Sequence, residues 1–201
     1  MEEHVLFAQK LKEQARGVLK DIDLIAKLEP HGEVKLTGSF ELDLMVWPDI
    51  DIQIEIPGKK DKVKAFTDIS YELLQNTNIK NVKLINFIPG RKPTMPVGMY
   101  MGLTYKKASF PQWKIDIWAL SDSCRKESHD YMNLVKNELN STNRELILDW
   151  KHKILNNGRI PQLGSYMLYR AILIEKLSDP QEIFSYLINN QVDLSHLQHM
   201  T

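Results

Sequence analysis

The stretch from Asp49 to Ile56 reads DIDIQIEI, a strict alternation of polar and β-branched residues. Ile50, Ile52, Ile54 and Ile56 fall on one side and Asp49, Asp51, Gln53 and Glu55 on the other. A period of two is the signature of a half-buried strand. The strand needs a sheet to pair with and a layer to cover its isoleucine face. Pro57-Gly58 ends it. The alternation also puts the carboxylates of Asp49 and Asp51 on the same sheet face.

The surrounding pattern supplies the layers. An amphipathic helix is expected first, with Val5, Ala8, Ala15, Val18, Ile22 and Ile25 on one stripe, stopped by Pro30, His31 and Gly32. A strand over 33–37 ends at Gly38-Ser39, and a short turn or helix over 40–47 leads to Pro48. After the acidic strand, a second helix over 61–75 aligns Val63, Phe66, Ile69 and Leu73. Further strands are expected over 82–88, 99–105 and 113–120, with a Pro- and Gly-rich loop over 89–98.

The remainder reads as helical. Helices are expected from about Lys126 to Leu139, from a Thr142/Glu145 capping box towards Leu155, and from Gly164 to Leu177. Asp179, Pro180 and Glu182 read as N-cap, first-turn proline and N3 acid of a last helix. The expected fold is α/β: a mixed, twisted sheet flanked by helices, with a C-terminal helical bundle. The composition shift near residue 122 divides it into a domain over 1–122 and a helical domain over 123–201.

Lys+Arg and Asp+Glu both total 26, for a formal net charge of zero. Proteins that track a nucleic-acid backbone usually carry a basic excess, so nucleic acid is unlikely as a partner on this measure. The lone cysteine, Cys124, permits no internal disulfide, and no stretch has the length and apolarity of a membrane span. With no apolar leader at the N-terminus, the expectation is a cytoplasmic protein without a membrane.

A third acid completes a constellation. In WKIDIWAL, Ile115 and Ile117 take the core side, so Asp116 points the other way, along with Lys114 and Trp118. If this strand neighbours the acidic one, the three carboxylates converge, because adjacent strands lie about 4.8 Å apart. Carboxylates that close repel unless cations neutralise them, and oxygen-only ligands suit magnesium or manganese. Upstream, Gly38 allows a phosphate close to the backbone, and the Ser39 hydroxyl can hold a phosphate oxygen. Lys114 is a candidate to neutralise a phosphate.

The stretch LTGSFELDLMVWPDIDIQI resembles the signature of the polymerase β-like nucleotidyltransferases: a Gly-Ser pair, a spacer of roughly ten residues, an Asp-x-Asp on a strand, and an acid on a later strand. Ser39 and Asp49 stand ten positions apart, and Asp116 supplies the later acid. The resemblance covers about residues 15–120. It implies that Asp49, Asp51 and Asp116 hold Mg2+ or Mn2+ and carry catalysis, with Asp116 near the attacking hydroxyl. It also implies that Gly38 and Ser39 hold the β- and γ-phosphates of a nucleoside triphosphate. The expected activity is transfer of a nucleoside monophosphate, AMP first, to a hydroxyl of a small molecule.

Glu41 and Asp43 depart from the pattern, since a phosphate loop prefers small or basic residues there. They motivate one alternative, a nucleotide-binding or regulatory module that has lost turnover. The other alternative is an antitoxin-like protein nucleotidyltransferase.

The other conspicuous residues have plainer readings. The six histidines show no metal-ligand spacing with Cys124. Lys59, Lys60 and Lys62 read first as a solvated helix start, and Arg91 and Lys92 as loop charges. Trp118 is expected to pack against the helical half. Tyr166, Tyr169 and Arg170 share a helix, with packing ranked above an acceptor or base pocket.

Overall fold

The computed structural model describes residues 2–58, 61–88, 95–108 and 110–197. Lys59, Lys60, Arg91, Lys92 and His199 lie outside the described residues. The chain divides into two compact units, one formed by 11–43 and 48–132, the other by 1–10, 44–47 and 133–201.

The first unit is built on five strands: β1 (Glu33–Thr37), β2 (Asp49–Glu55), β3 (Ile79–Phe87), β4 (Gly98–Tyr105) and β5 (Trp113–Leu120). Their order is β1-β2-β5-β4-β3. Only β2 and β5 run parallel, so the sheet is mixed. Alternation dictates the register. Ile50 stands opposite Ile115 and Ile52 opposite Ile117, which sets Asp51 opposite Asp116 on the reverse face. Ile50, Ile52, Ile115, Ile117, Met101 and Leu103 are all buried.

Helix α1 (Glu2–Asp21) is followed by the short α2 (Leu24–Leu28). The single helix expected up to Ile25 is therefore broken, at Asp23, which takes a left-handed backbone with φ 50°. The preceding Asp21 turns its carboxylate to Lys107 (2.5 Å), Asn78 (2.9 Å) and the Tyr105 hydroxyl (3.0 Å). A four-residue helix α3 (Gly38–Glu41) follows β1. Helix α4 (Lys62–Leu74) is N-capped by Asp61, whose carboxylate accepts from the backbone N–H groups of Val63 and Lys64. It buries Ala65, Phe66, Ile69 and Leu73 and packs on β3 and β4.

Helix α5 (Asp122–Glu138) starts four residues earlier than the sequence suggests. Its first turns are tied to β2 by Arg125 on Glu55 (2.8 Å) and by Gln53 Nε2, which donates to Ser128 Oγ (2.7 Å). Strand β3 likewise starts at Ile79 rather than 82, with a bulge between Ile79 and Asn81.

The second unit contains α6 (Ser141–Ile154), α7 (Gly164–Tyr169), a π-helical turn over Arg170–Ile174, and α8 (Pro180–Asn189). The capping box of α6 lies at Asn140 and Asn143, not at Thr142 and Glu145. Each asparagine side chain accepts from the other's backbone N–H. The π turn ends the helix expected to reach Leu177. At α8, Asp179 accepts from Gln181 and Glu182, as the Asp-Pro-x-Glu pattern predicts.

Lys151 is almost fully buried in this unit. Its ammonium donates to the Leu44 carbonyl (2.5 Å) and the Tyr169 hydroxyl (3.2 Å). Arg170 is held by hydrogen bonds to Tyr166 and Tyr186, which push its guanidinium above its ordinary value.

Candidate active site

The polar face of the sheet carries the constellation. In the parallel β2–β5 pairing, Asp49 faces Lys114, Asp51 faces Asp116 and Gln53 faces Trp118. All six side chains leave the face opposite the buried isoleucines, because every second residue must. Asp49 and Asp116 are only 13% and 14% exposed, so their charges are largely withdrawn from water.

Lys114 supplies the compensating charge. Its Nζ lies 2.5 Å from Asp116 Oδ2 and 3.5 Å from Asp49 Oδ1, and its side chain is 44% exposed. Burial alone would lower its pKa. The Asp49 and Asp116 carboxylates outweigh burial and raise it above the ordinary lysine value. The sequence reading turned Lys114 towards a phosphate; in the structure its ammonium bridges two acids. No group of three His, Cys, Asp or Glu among the described residues is gathered closely enough here to ligate one ion.

The other oxygen of Asp116 is engaged by Tyr100, whose hydroxyl donates to Oδ1 at 2.9 Å. Burial, then the Asp116 charge, pushes the Tyr100 phenol well above its ordinary range. Gly102 stands opposite Asp116 in the β4–β5 register, and a Cβ there would come within 2.3 Å of the Tyr100 hydroxyl. A glycine at this position lets the tyrosine lie along its strand and reach the acid. Sequence reading passed over Tyr100. The available signal was the alternation of Met99, Met101 and Leu103, which turns Tyr100 to the acidic face, with a small residue two positions on.

Gly38 closes the other side. Its φ is +61°, and a Cβ would fall 2.2 Å from Asp51 Oδ2, so both backbone and space demand glycine. Ser39 follows it in α3. Asp43, which also takes a left-handed backbone, is ion-paired to Lys12 of α1. Its charge is thereby offset.

Trp118 does not stand alone. Its ring stacks on Phe87 with centroids 5.4 Å apart and meets Tyr100 at 4.9 Å, all within the sheet unit. A cleft of about 300 Å³ opens over this face, lined among others by Gly38, Asp51, Gln53, Trp118 and Ser128. Of the lysine cluster after β2, Lys62 donates to the Leu120 carbonyl at 3.3 Å. Among the described residues, no helix is long and apolar enough to cross a membrane.

Neither a family model nor a curated protein sequence matches this chain. Solved structures do. One is the Cid1 poly(U) polymerase in a MgGTP-bound form, matched with a TM-score of 0.58 and 18% identity over 85% of this chain and 54% of that one. Another is a cytoplasmic RNA terminal U-transferase, matched with a TM-score of 0.53 and 17% identity over 90% of this chain and 57% of that one. The chain thus spans little more than half the length of the structures it resembles. At this identity the likeness is one of fold: the mixed sheet and flanking helices are arranged as in these two structures.

Proposed function

We propose that this protein transfers a nucleoside monophosphate, AMP as the first choice, from a nucleoside triphosphate to a hydroxyl of a small molecule. The observation that carries the reading is the pairing of Asp51 with Asp116 on one sheet face, with Asp49 beside them and Gly38 packed on Asp51. An oxygen-only donor set fits Mg2+ or Mn2+, and the Lys114 ammonium between Asp49 and Asp116 marks where positive charge is favoured. Asp49, Asp51 and Asp116 would hold the metal once their side chains close on it, since as they stand no three are gathered closely enough to ligate one ion. When bound, it would neutralise phosphate charge and stabilise the oxygens of an in-line displacement.

The chain's own residues supply the rest. The Gly38 backbone and Ser39 hydroxyl hold the terminal phosphates. Asp116 accepts the proton of the attacking hydroxyl at Oδ2, while Tyr100 keeps Oδ1 fixed. The acceptor oxygen bonds to the α-phosphorus, the bond to the bridging oxygen breaks, and pyrophosphate leaves. Lys114, once displaced from the carboxylates, is placed to meet the negative charge that builds on the phosphates.

The matched structures are of a poly(U) polymerase and of an RNA terminal U-transferase. They favour a second reading in which the acceptor is an RNA end. The zero net charge supports the small molecule instead.

The test is pyrophosphate release by the full chain with Mg2+, across the four ribonucleoside triphosphates and a panel of hydroxyl-bearing acceptors, with Asp116→Ala as control. Release that needs an acceptor and disappears in the variant is expected. Triphosphate binding without release under any condition would replace the enzyme by a silent module.

A further inference from the structure

We propose that Trp118 and Gln53 form a nucleobase subsite beside Asp116, and that the base it holds belongs to the acceptor. The reactive hydroxyl is then carried by a nucleoside or by the terminal nucleotide of a polynucleotide. This rests on the transfer reading above and names its acceptor class.

Trp118 stands two residues beyond Asp116 on the same sheet face and lines the cleft. Phe87, 8% exposed, backs its indole at an interplanar angle of 28°, and Tyr100 braces it at 51°. A half-buried indole fixed by two aromatic neighbours offers a flat, pre-oriented surface. Flat rings gain most from such a surface, and base-on-aromatic stacking needs no particular base.

Gln53 is the register partner of Trp118 across the β2–β5 pair and lines the same cleft. Its Nε2 donates to Ser128 Oγ at 2.7 Å, yet its Oε1 is buried and accepts no hydrogen bond among the described residues. Turning the amide over leaves a donor unmatched in place of an acceptor, so one end of the group is unpaired in either orientation. An unpaired buried amide atom is costly, and one at the wall of a cleft beside a stacking surface asks for a ligand with a polar edge. A ring with donors and acceptors on its rim answers both features, and side-chain amides read base edges in this way.

Position assigns the ring to the acceptor. The terminal phosphates belong at Gly38 and Ser39, which continue the chain beyond the Thr37–Asp51 pair towards the Asp49 end of β2. Gln53 and Trp118 lie on the other side of the Asp51–Asp116 pair. The hydroxyl activated at Asp116 therefore stands between the phosphates and the stacked ring. A neutral stacking site also needs no basic track, in keeping with the zero net charge.

The experiment is equilibrium binding to the full chain of three probes: adenosine or uridine, a short oligoribonucleotide with a free 3′ end, and a non-hydrolysable triphosphate. Trp118→Leu should weaken nucleoside and oligonucleotide binding roughly 5- to 150-fold, and leave the triphosphate within about twofold. Gln53→Ala, a smaller perturbation of the fold, should weaken the same two probes and alter the preference among bases. In the wild type, nucleoside should quench an indole signal that Trp118→Phe lacks. Tighter binding of the oligonucleotide than of the nucleoside assigns the subsite to a polynucleotide end; the reverse assigns it to a free nucleoside. Unchanged nucleoside affinity in both the leucine and alanine variants, or no nucleoside binding at all, overturns the proposal. A triphosphate loss equal to the nucleoside loss also overturns it, because the ring would then belong to the donor. None of these readings requires turnover, so absent pyrophosphate release would remove the transfer reading and the acceptor role with it, while nucleoside binding lost in the Trp118 and Gln53 variants would still establish the base subsite.

Discussion

Replacing Lys114 by glutamine removes the cation that bridges Asp49 and Asp116 while keeping much of the side chain's length. In water-like dielectric, unit charges at 2.5 and 3.5 Å attract by about 1.7 and 1.2 kcal/mol respectively. The lysine side chain is 44% exposed, so screening and the entropy of holding it reduce the total to about 1–2 kcal/mol. For a chain of 201 residues this corresponds to a fall in Tm of roughly 2–8 °C. The loss should appear in the presence of a chelator and shrink when Mn2+ is added, because the ion replaces the missing charge. Mn2+ should also bind the variant more tightly than the wild type, having no ammonium to displace. Thermal unfolding with and without Mn2+, together with Mn2+ titration by electron paramagnetic resonance, reads both effects. Equal metal-free stability and equal Mn2+ affinity in the two proteins would refute the bridging role. Lys114 would then be left with a phosphate contact alone, visible only as weaker triphosphate binding.

Gly38→Ala puts a methyl group 2.2 Å from Asp51 Oδ2 on a backbone at φ +61°. The left-handed backbone alone costs about 1–2 kcal/mol, and Asp51 must move as well, so Mn2+ affinity should fall with Tm; wild-type Mn2+ binding in the variant would show that Asp51 does not serve the metal. The Asp21 network should make stability depend on pH at both extremes, as urea unfolding across pH would read. The Lys107 hydrogen bond holds the Asp21 carboxyl below its ordinary 3.8, so this contribution is complete above that value and is lost as pH falls through the lower folded one. Burial and the neighbouring Asp21 push Tyr105 from 10.0 up to about 12, so its contribution holds below 10 and disappears as pH rises towards 12. Asp21→Asn should flatten both limbs, and an unchanged pH profile in that variant would remove the network from the account.

What was legible in the sequence is what depends on local period. Alternation in DIDIQIEI and WKIDIWAL assigned Asp49, Asp51 and Asp116 to faces, and the isoleucines that fix those faces also fix the register that sets Asp51 against Asp116. The Asp-Pro-x-Glu start of α8 was legible because a cap is a contact across three residues. Where local signals compete, the reading slipped. Thr142 and Glu145 spell a capping box, but Asn140 and Asn143 form the same reciprocal motif two residues earlier, on their own N–H groups, and win the helix start. The break after α1 falls at left-handed Asp23, beside Asp21 and its partner Lys107, 86 residues away, which no periodicity records.

The same distinction explains the character of the site. Positions on a face follow from period, but the partner that each side chain takes on that face is set by strand order. Period alone puts Lys114 on the acidic face and leaves its strand neighbours open. Once β5 lies between β2 and β4, its ammonium has a carboxylate on its own strand and another across the parallel pair. Tyr100 reaches Asp116 only because β4 flanks β5 and presents Gly102 there. Strand order therefore turns three acids that would repel one another into a paired set, with the Lys114 ammonium on one oxygen of Asp116 and the Tyr100 hydroxyl on the other. On the reading proposed above, a metal ion would take the place of the lysine while the Tyr100 hydroxyl keeps Asp116 in position.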